Sequence, residues 1–226
     1  MIKLKTIQKV VIYGDSDFAD QVYSQLVSDD RYKVVAFTVD ESKYEEASFN
    51  GLSIIKFQHL KDSYGTEDVL VFPAIGYSSS NTIREIVSKE IESAGYQLMT
   101  YISKHTVIGN NAEIGKGCYI CEFVSIGSNS KIGDGVIILS NTSIAHDVII
   151  ADYTFISHSG VIGGNAIIQN NTFIGLNSTI KNGIEIAEYN IIGSAANVVK
   201  STNANGLYVG NPARRVKDVD LNNVKI

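Results

Sequence analysis

The chain has 226 residues, 44% of them apolar and 19% charged, which suits one large or two modest folded domains and excludes intrinsic disorder. A formal net charge of −5 with no Lys/Arg-rich run leaves nothing to neutralise phosphates, so a nucleic-acid partner is excluded. No stretch reaches the length of a membrane span, and residues 1–9 lack the apolar core and cleavage site of a signal peptide, so a cytoplasmic protein without membrane insertion is expected.

The first hundred residues read as alternating strands and helices. Val10 to Gly14 is a short buried strand, and Asp15, Ser16 and Asp17 can cap a following helix that carries Phe18, Val22 and Leu26 on one face. Strands are predicted at Lys33 to Asp40, Leu52 to Ile55 and Asp68 to Ile75. A helix from about Ser80 to Ser93 carries Ile83, Ile86, Val87 and Ile91, Gly95 stops it, and a last strand runs from Tyr96 to Ile102. This alternation predicts a small parallel, Rossmann-like α/β sheet over residues 1–100.

From Ile102 to Ile192 every sixth residue is isoleucine, and Val198 keeps the register. Two residues earlier stands mostly a small or β-branched side chain, as at Thr106, Ala112, Cys118 and Val124, and glycine often follows the isoleucine, as at Gly109, Gly127, Gly163 and Gly175. A period of six fits neither an amphipathic helix nor a long strand; it marks a chain that turns a corner every hexad. Three hexads close a triangular coil, so Ile102, Ile120, Ile138, Ile156, Ile174 and Ile192 stack in one column, and residues 101–199 form an all-β solenoid, a parallel β-helix. The pair Cys118 and Cys121 has C-x-x-C spacing but falls inside this repeat, where Cys118 reads as a small core residue. Residues 200–226 leave the coil as a C-terminal extension, through the polar stretch Lys200 to Gly206 and into Leu207 to Arg215. Periodicity alone is equally compatible with a scaffold that has no site, so function must come from particular residues.

Of the four histidines, His59 and His105 read as surface or packing residues. His146 and His158 each lie two residues past a core isoleucine and must leave the coil outward, on different faces. Asp147 follows His146 directly, and a carboxylate beside an imidazole raises its basicity and steadies its orientation.

From Tyr101 to Arg215 the hexads, the segment Ile144-Ala-His-Asp-Val-Ile-Ile150 and the tail Tyr208-Val-Gly-Asn-Pro-Ala-Arg-Arg215 resemble the hexapeptide-repeat sugar acetyltransferases of the sialic-acid O-acetyltransferase and bacillosamine-pathway N-acetyltransferase group. The first domain is similar to theirs at Val11-Ile-Tyr-Gly-Asp-Ser-Asp-Phe-Ala19 and at Ala74-Ile-Gly-Tyr-Ser-Ser-Ser-Asn-Thr-Ile-Arg84. The resemblance implies a left-handed β-helix, a homotrimer, and direct acetyl transfer from acetyl-CoA to a nucleotide-linked amino sugar, for surface polysaccharide or glycan synthesis. It implies His146 as general base with Asp147 enhancing its basicity. It sets acetyl-CoA in a groove between subunits, along Phe155, Gly164, Leu176 and Ser194, with Lys200 and Arg214 or Arg215 near the phosphates. The nucleotide falls to Gly14, Asp15, Ser16, Asp17 and Phe18, with Asp40 and Gly76.

Two glycines usual in that first turn are Asp15 and Asp17 here, and their charge opposes a diphosphate laid against them. With G-x-G-x-x-G absent, no NAD site is expected. Three other readings stand beside the N-acetyltransferase: an O-acetyltransferase for a sialic-acid-like sugar, a γ-type carbonic anhydrase, and a silent scaffold. The carbonic anhydrase spacing is met by His105 and His146, but its middle ligand position is Asn141, so no metal is expected.

Overall fold

The computed structural model describes residues 7–45, 47–77 and 81–219. Residues 1–6, where a signal peptide was sought, the helix start expected at Ser80 with the rest of residues 78–80, and the end of the extension at residues 220–226 lie outside the described residues. The chain divides into two compact units, Met1–Gly76 with Ile86–Met99, and Tyr77–Glu85 with Thr100–Ile226.

In the first unit β1 (Gln8–Tyr13) leads through α1 (Asp17–Val27) to β2 (Tyr32–Val39), then to the short β3 (Ser48–Phe49) and β4 (Leu52–Lys56). A 3-10 turn and α2 (Leu60–Ser63) precede β5 (Leu70–Pro73), and α3 (Thr82–Ser93) precedes β6 (Gln97–Leu98). The sheet runs β3-β4-β2-β1-β5-β6. Its long ladders are parallel as expected; only β3 and β4 run antiparallel, closed by Asn50 and Gly51, both at positive φ. That Asn-Gly pair is the signal of a two-residue hairpin, and it makes the sheet mixed rather than purely parallel. Val10, Val11 and Ile12 are fully buried in the central strand.

Both helices present a different stripe from the one expected. In α1 it is Ala19 that joins Val22 and Leu26 in the core, while Phe18 is half-buried. In α3 the buried positions are Arg84, Val87, Ser88 and Ile91, a regular i, i+3, i+4, i+7 face, whereas Ile86 is 64% exposed. The last strand, expected as one piece from Tyr96 to Ile102, is two: Gln97–Leu98 pairs with β5, and Tyr101–Ile102 opens the coils.

The second unit is the left-handed parallel β-helix. Each hexad contributes a two-residue strand whose second residue is the isoleucine, and strands eighteen residues apart pair in register, as Ile102, Ile120, Ile138 and Ile156 do. Three sheets result, with eight, six and five strands, the first of them extended by the C-terminal hairpin Gly206–Gly210 and Ala213–Asp218. The isoleucines from Ile120 to Ile192, with Cys118, Val124, Val136, Val148 and Ala166, form one continuous core. Burying each isoleucine is worth about 2 kcal/mol before entropy is charged. Ile108 remains 43% exposed, because the first coil has a neighbour on one side only. At the other end Tyr208 pairs beside Ile192 and closes the core. Glycine after an isoleucine is a matter of close approach: a Cβ at Gly175 would lie 2.6 Å from the Ile192 carbonyl oxygen of the next coil.

Tyr77 and the start of α3, Asn81 and Arg84, lie against the coils. Tyr77 packs on Phe173 and Phe155, with ring centroids 4.4 and 6.3 Å away. Arg84, fully buried, donates from Nε to the Gly135 carbonyl, from Nη1 to Asn81 Oδ1 and from Nη2 to the Tyr153 carbonyl, each at 3.0 Å. Gly135 and Tyr153 occupy successive corners of one column, both at positive φ, so the guanidinium ties two coils together. Burial lowers its pKa to about 9.

Candidate active site

The corner after strand Ser143–Ile144 carries Ala145, His146 and Asp147 before the core resumes at Val148. Asp147 has φ 57, the left-handed conformation that turns the chain. This twist sends two sequence neighbours outward on the same side, and His146 Nδ1 meets Asp147 Oδ2 at 2.7 Å. Both side chains are open to solvent, 65% and 46% exposed. Hydrogen bonds from His146 and then from Asn129 hold the Asp147 carboxyl below its ordinary pKa, so it is ionised at neutral pH and can only accept. His146 Nδ1 therefore carries the proton in the neutral ring, and Nε2 offers a lone pair.

One coil further on, Gly164 stands over that ring. A Cβ there would lie 2.9 Å from His146 Nε2 and 3.0 Å from Cε1, so glycine keeps the reactive edge of the imidazole open. The Gly164 N–H has no acceptor among the described residues. A candidate base and an unengaged backbone donor thus lie on neighbouring coils, two of the groups that acyl transfer uses.

The other residues singled out from the sequence lie in three places. Leu176 and Ser194 belong to another corner column, which also carries His158, Ser140 and Glu122; Leu176 is 49% exposed. Lys200 is exposed at the end of the last coil. Among the described residues Arg214, on the hairpin, donates to the carbonyl of Ala213 at 3.0 Å and to no other, whereas Arg215 is engaged by Asp218 at 2.7 Å and by the Asn205 carbonyl. Phe155 lies on the sheet between corners, stacked on Phe173 and covered by Tyr77 of its own chain.

In the first unit Gly14 follows β1, Asp40 follows β2 and Gly76 lies just beyond β5, so the nucleotide candidates gather at the carboxyl ends of adjacent strands, where the sheet order reverses. Gly14 has φ 123, and a Cβ on Gly76 would rest 3.6 Å from Phe18. Ser16 caps α1 by backbone geometry alone, and Asp15 and Asp17 are exposed beside it. Asp40 Oδ1 accepts from Ser42 N and Oγ, and these bonds hold its carboxyl below the usual range.

The histidines passed over stay apart from this chemistry. His105 stacks on Phe123, and His59 meets Asp62 at 3.3 Å on an exposed turn. No group of three metal-binding side chains occurs among the described residues, and Cys118 and Cys121 are buried thiols pushed up to about 12 by burial. Two contributors were missed in the sequence: Asn129, which donates to Asp147 Oδ1 at 3.2 Å, and Arg84. Asn129 lies eighteen residues before Asp147, one coil away, so the repeat itself was the signal; nothing local marks Arg84 as buried.

Residues 102–225 match the family model described as the GMPPB C-terminal domain. No curated protein sequence matches the chain. Among solved structures, the acetyltransferase domain of PglB from Neisseria gonorrhoeae FA1090 in complex with acetyl coenzyme A is similar with a TM-score of 0.82 at 20% identity, covering 93% of this chain and 100% of that one. A histidine-to-alanine mutant of GDP-perosamine N-acetyltransferase from Caulobacter crescentus, in complex with CoA and GDP-perosamine, gives 0.81 at 21% identity over 94% of this chain and 99% of that one. WeeI from Acinetobacter baumannii AYE gives 0.80 at 28% identity over 93% and 100%. These likenesses run through both units and bear out the fold expected from the sequence, a small α/β sheet followed by a left-handed β-helix. Since the matched coils make up more than half of its length, the chain belongs to the GMPPB C-terminal domain family, carried on the fold of the sugar acetyltransferases.

Proposed function

We propose that this protein is an acetyl-CoA-dependent N-acetyltransferase that acts on a nucleotide-linked 4-amino or 3-amino dideoxy sugar destined for surface polysaccharide or glycan. The observation that carries the reading is the corner at His146, where Nδ1 is held by Asp147 at 2.7 Å and Nε2 looks past Gly164. Acetyl-CoA supplies an activated carbonyl there. His146 Nε2 accepts the proton that the sugar amine sheds as its nitrogen attacks that carbonyl. The Gly164 N–H donates to the carbonyl oxygen as negative charge grows on it. The imidazolium, steadied by Asp147, then returns the proton to the departing thiolate. No acyl-enzyme is required, in keeping with two buried thiols.

The rest of the surface fits a long anionic cosubstrate: Leu176 offers exposed apolar area for a pantetheine arm, and Lys200 and Arg214 are exposed cations suited to its phosphates. In this reading the groove lies between subunits of a homotrimer in the cytoplasm, and the nucleotide is held by Gly14, Asp15, Ser16, Asp17 and Phe18 with Asp40 and Gly76. Carboxylates at Asp15 and Asp17 suit sugar hydroxyls better than a diphosphate. That the similar Caulobacter enzyme is an N-acetyltransferase crystallised with GDP-perosamine supports an amine over a hydroxyl acceptor.

The test is acetyl-CoA-dependent thiol release against UDP-, dTDP- and GDP-linked amino sugars, with sialic acids as the hydroxyl arm. His146→Ala should lower kcat by about a hundredfold or more and leave acetyl-CoA affinity unchanged. Turnover only with a hydroxyl acceptor, near-normal turnover by the variant, or a monomer in light scattering would each count against the proposal.

A further inference from the structure

Asp147 is the last member of a ladder of side chains that climbs one edge of the coils. Asn111 Nδ2 donates to Asn129 Oδ1 at 3.2 Å, Asn129 Nδ2 donates to Asp147 Oδ1 at 3.2 Å, and Asp147 Oδ2 receives His146 Nδ1 at 2.7 Å. The three ladder residues lie eighteen apart, each at a corner, with φ of 58, 60 and 57. Asparagine is common at left-handed corners for its backbone alone. Backbone preference does not account for the ladder, however. Asn141, Ser159 and Asn177 stack in another corner column with φ of 63, 60 and 54 and make no side-chain hydrogen bond to one another.

The direction of the ladder also matters. Each amide gives a hydrogen to the next residue and the series ends on a carboxylate, which accepts from both sides. With one oxygen pinned by Asn129, the exposed Asp147 carboxylate loses its freedom to rotate, and the other oxygen stays on His146. An Asp147 that turned away would release the ring to take the Nε2–H form, in which the edge under Gly164 carries a proton and cannot serve as base.

We propose that Asn129, held in turn by Asn111, is a positioning residue that fixes the Asp147 carboxylate and thereby the Nδ1–H tautomer of His146. This rests on the reading of His146 as the base. The variant of choice is Asn129→Gly, since glycine accepts the positive φ that alanine would strain, with Asn141→Gly as a corner control outside the ladder.

Nitrogen NMR of 15N-histidine-labelled protein, recorded where imidazole is neutral, reports the tautomer whatever the substrate is. Wild-type protein and Asn141→Gly should show His146 in the Nδ1–H form, and Asn129→Gly should show a mixture with Nε2–H. With an acceptor in hand, kcat of Asn129→Gly should fall about tenfold while KM for acetyl-CoA holds. A pure Nδ1–H signal in Asn129→Gly would overturn the proposal. Failure of the wild-type protein to acetylate any sugar would instead overturn the proposed function and leave the tautomer measurement decisive for Asn129.

Discussion

Gly164→Ala is the smallest change that should disable the candidate site without touching a polar group. The added methyl would sit 2.9 Å from His146 Nε2 and 3.0 Å from Cε1. Optimal carbon contacts lie at about 3.5 Å or more, so the ring must withdraw by about 0.5 Å or rotate. The imidazole is well exposed and Gly164 is not at a left-handed φ, so withdrawal costs little stability, about 1 kcal/mol or less. Its cost falls on catalysis: about 1 Å of misplacement is worth about 100-fold in rate, so half of that gives about tenfold. Shielding of Nε2 by the methyl adds to it, and the expected loss in kcat is about 10- to 100-fold with a melting temperature within a few degrees of wild type. Steady-state thiol release and thermal melting measure both quantities on one preparation. Wild-type kcat in Gly164→Ala would refute the argument, because the base could not then be working through that edge.

Arg84→Met should destabilise the protein by about 2–4 kcal/mol in chemical denaturation, since it strands the Gly135 and Tyr153 carbonyls and Asn81 Oδ1; an unchanged midpoint would deny that the guanidinium holds the start of α3 to the coils. Both thiols, pushed up to about 12, should resist alkylation at pH 8 in native protein and react fully once it is unfolded. Rapid native labelling of either would contradict their burial. The Ser140 hydroxyl, 2.6 Å from Glu122, holds that carboxyl below its ordinary 4.5. A depressed carboxylate contributes stability above its unfolded value that is lost as pH falls through the folded one, so Ser140→Ala should flatten the acid limb of melting temperature against pH below about 4.5. Parallel limbs for the two proteins would remove the bond from the ledger of acid stability.

The coils were legible because their signal is redundant. Any one isoleucine could be replaced and the period of six would still announce three sheets and a shared column, and the register of Ile102, Ile120 and Ile138 is as the spacing requires. The α/β unit was legible at the level of strands and helices but less so in detail, for local reasons. The Ile86 face looked apolar, yet it is Arg84, buried with hydrogen bonds to Gly135, Tyr153 and Asn81, that joins Val87 and Ile91 on the buried stripe of α3. The hairpin at Asn50 and Gly51 is marked by its dipeptide, but its strands, two and five residues long, are too short to carry a clear alternation. Of the site, His146 and Asp147 could be read directly, being adjacent. Their partners could not be read as neighbours without applying the coil length to polar residues as well as to isoleucines. Adding eighteen to 146 gives Gly164, and subtracting it from 147 gives Asn129.

That same arithmetic explains why one histidine of four becomes a candidate base. Among the described residues two histidines touch a carboxylate, His146 at 2.7 Å and His59 at 3.3 Å, so a carboxylate contact does not by itself select the site. Around His59 the partner Asp62 is 77% exposed, on a turn of the first unit rather than in a stacked repeat. On the inner coils, each corner position has a counterpart about one strand spacing away in the coils before and after it. For His146 the coil before supplies Asn129, which pins the carboxylate, and the coil after supplies Gly164, whose missing side chain leaves Nε2 reachable beside an unengaged N–H. His158 has the same outward corner, but the coil after it places Leu176 where His146 has glycine, so a side chain occupies the position that would have to stay open. A solenoid core thus dictates where side chains can emerge, and chemistry becomes possible at a corner where the residues eighteen positions away on both sides favour it.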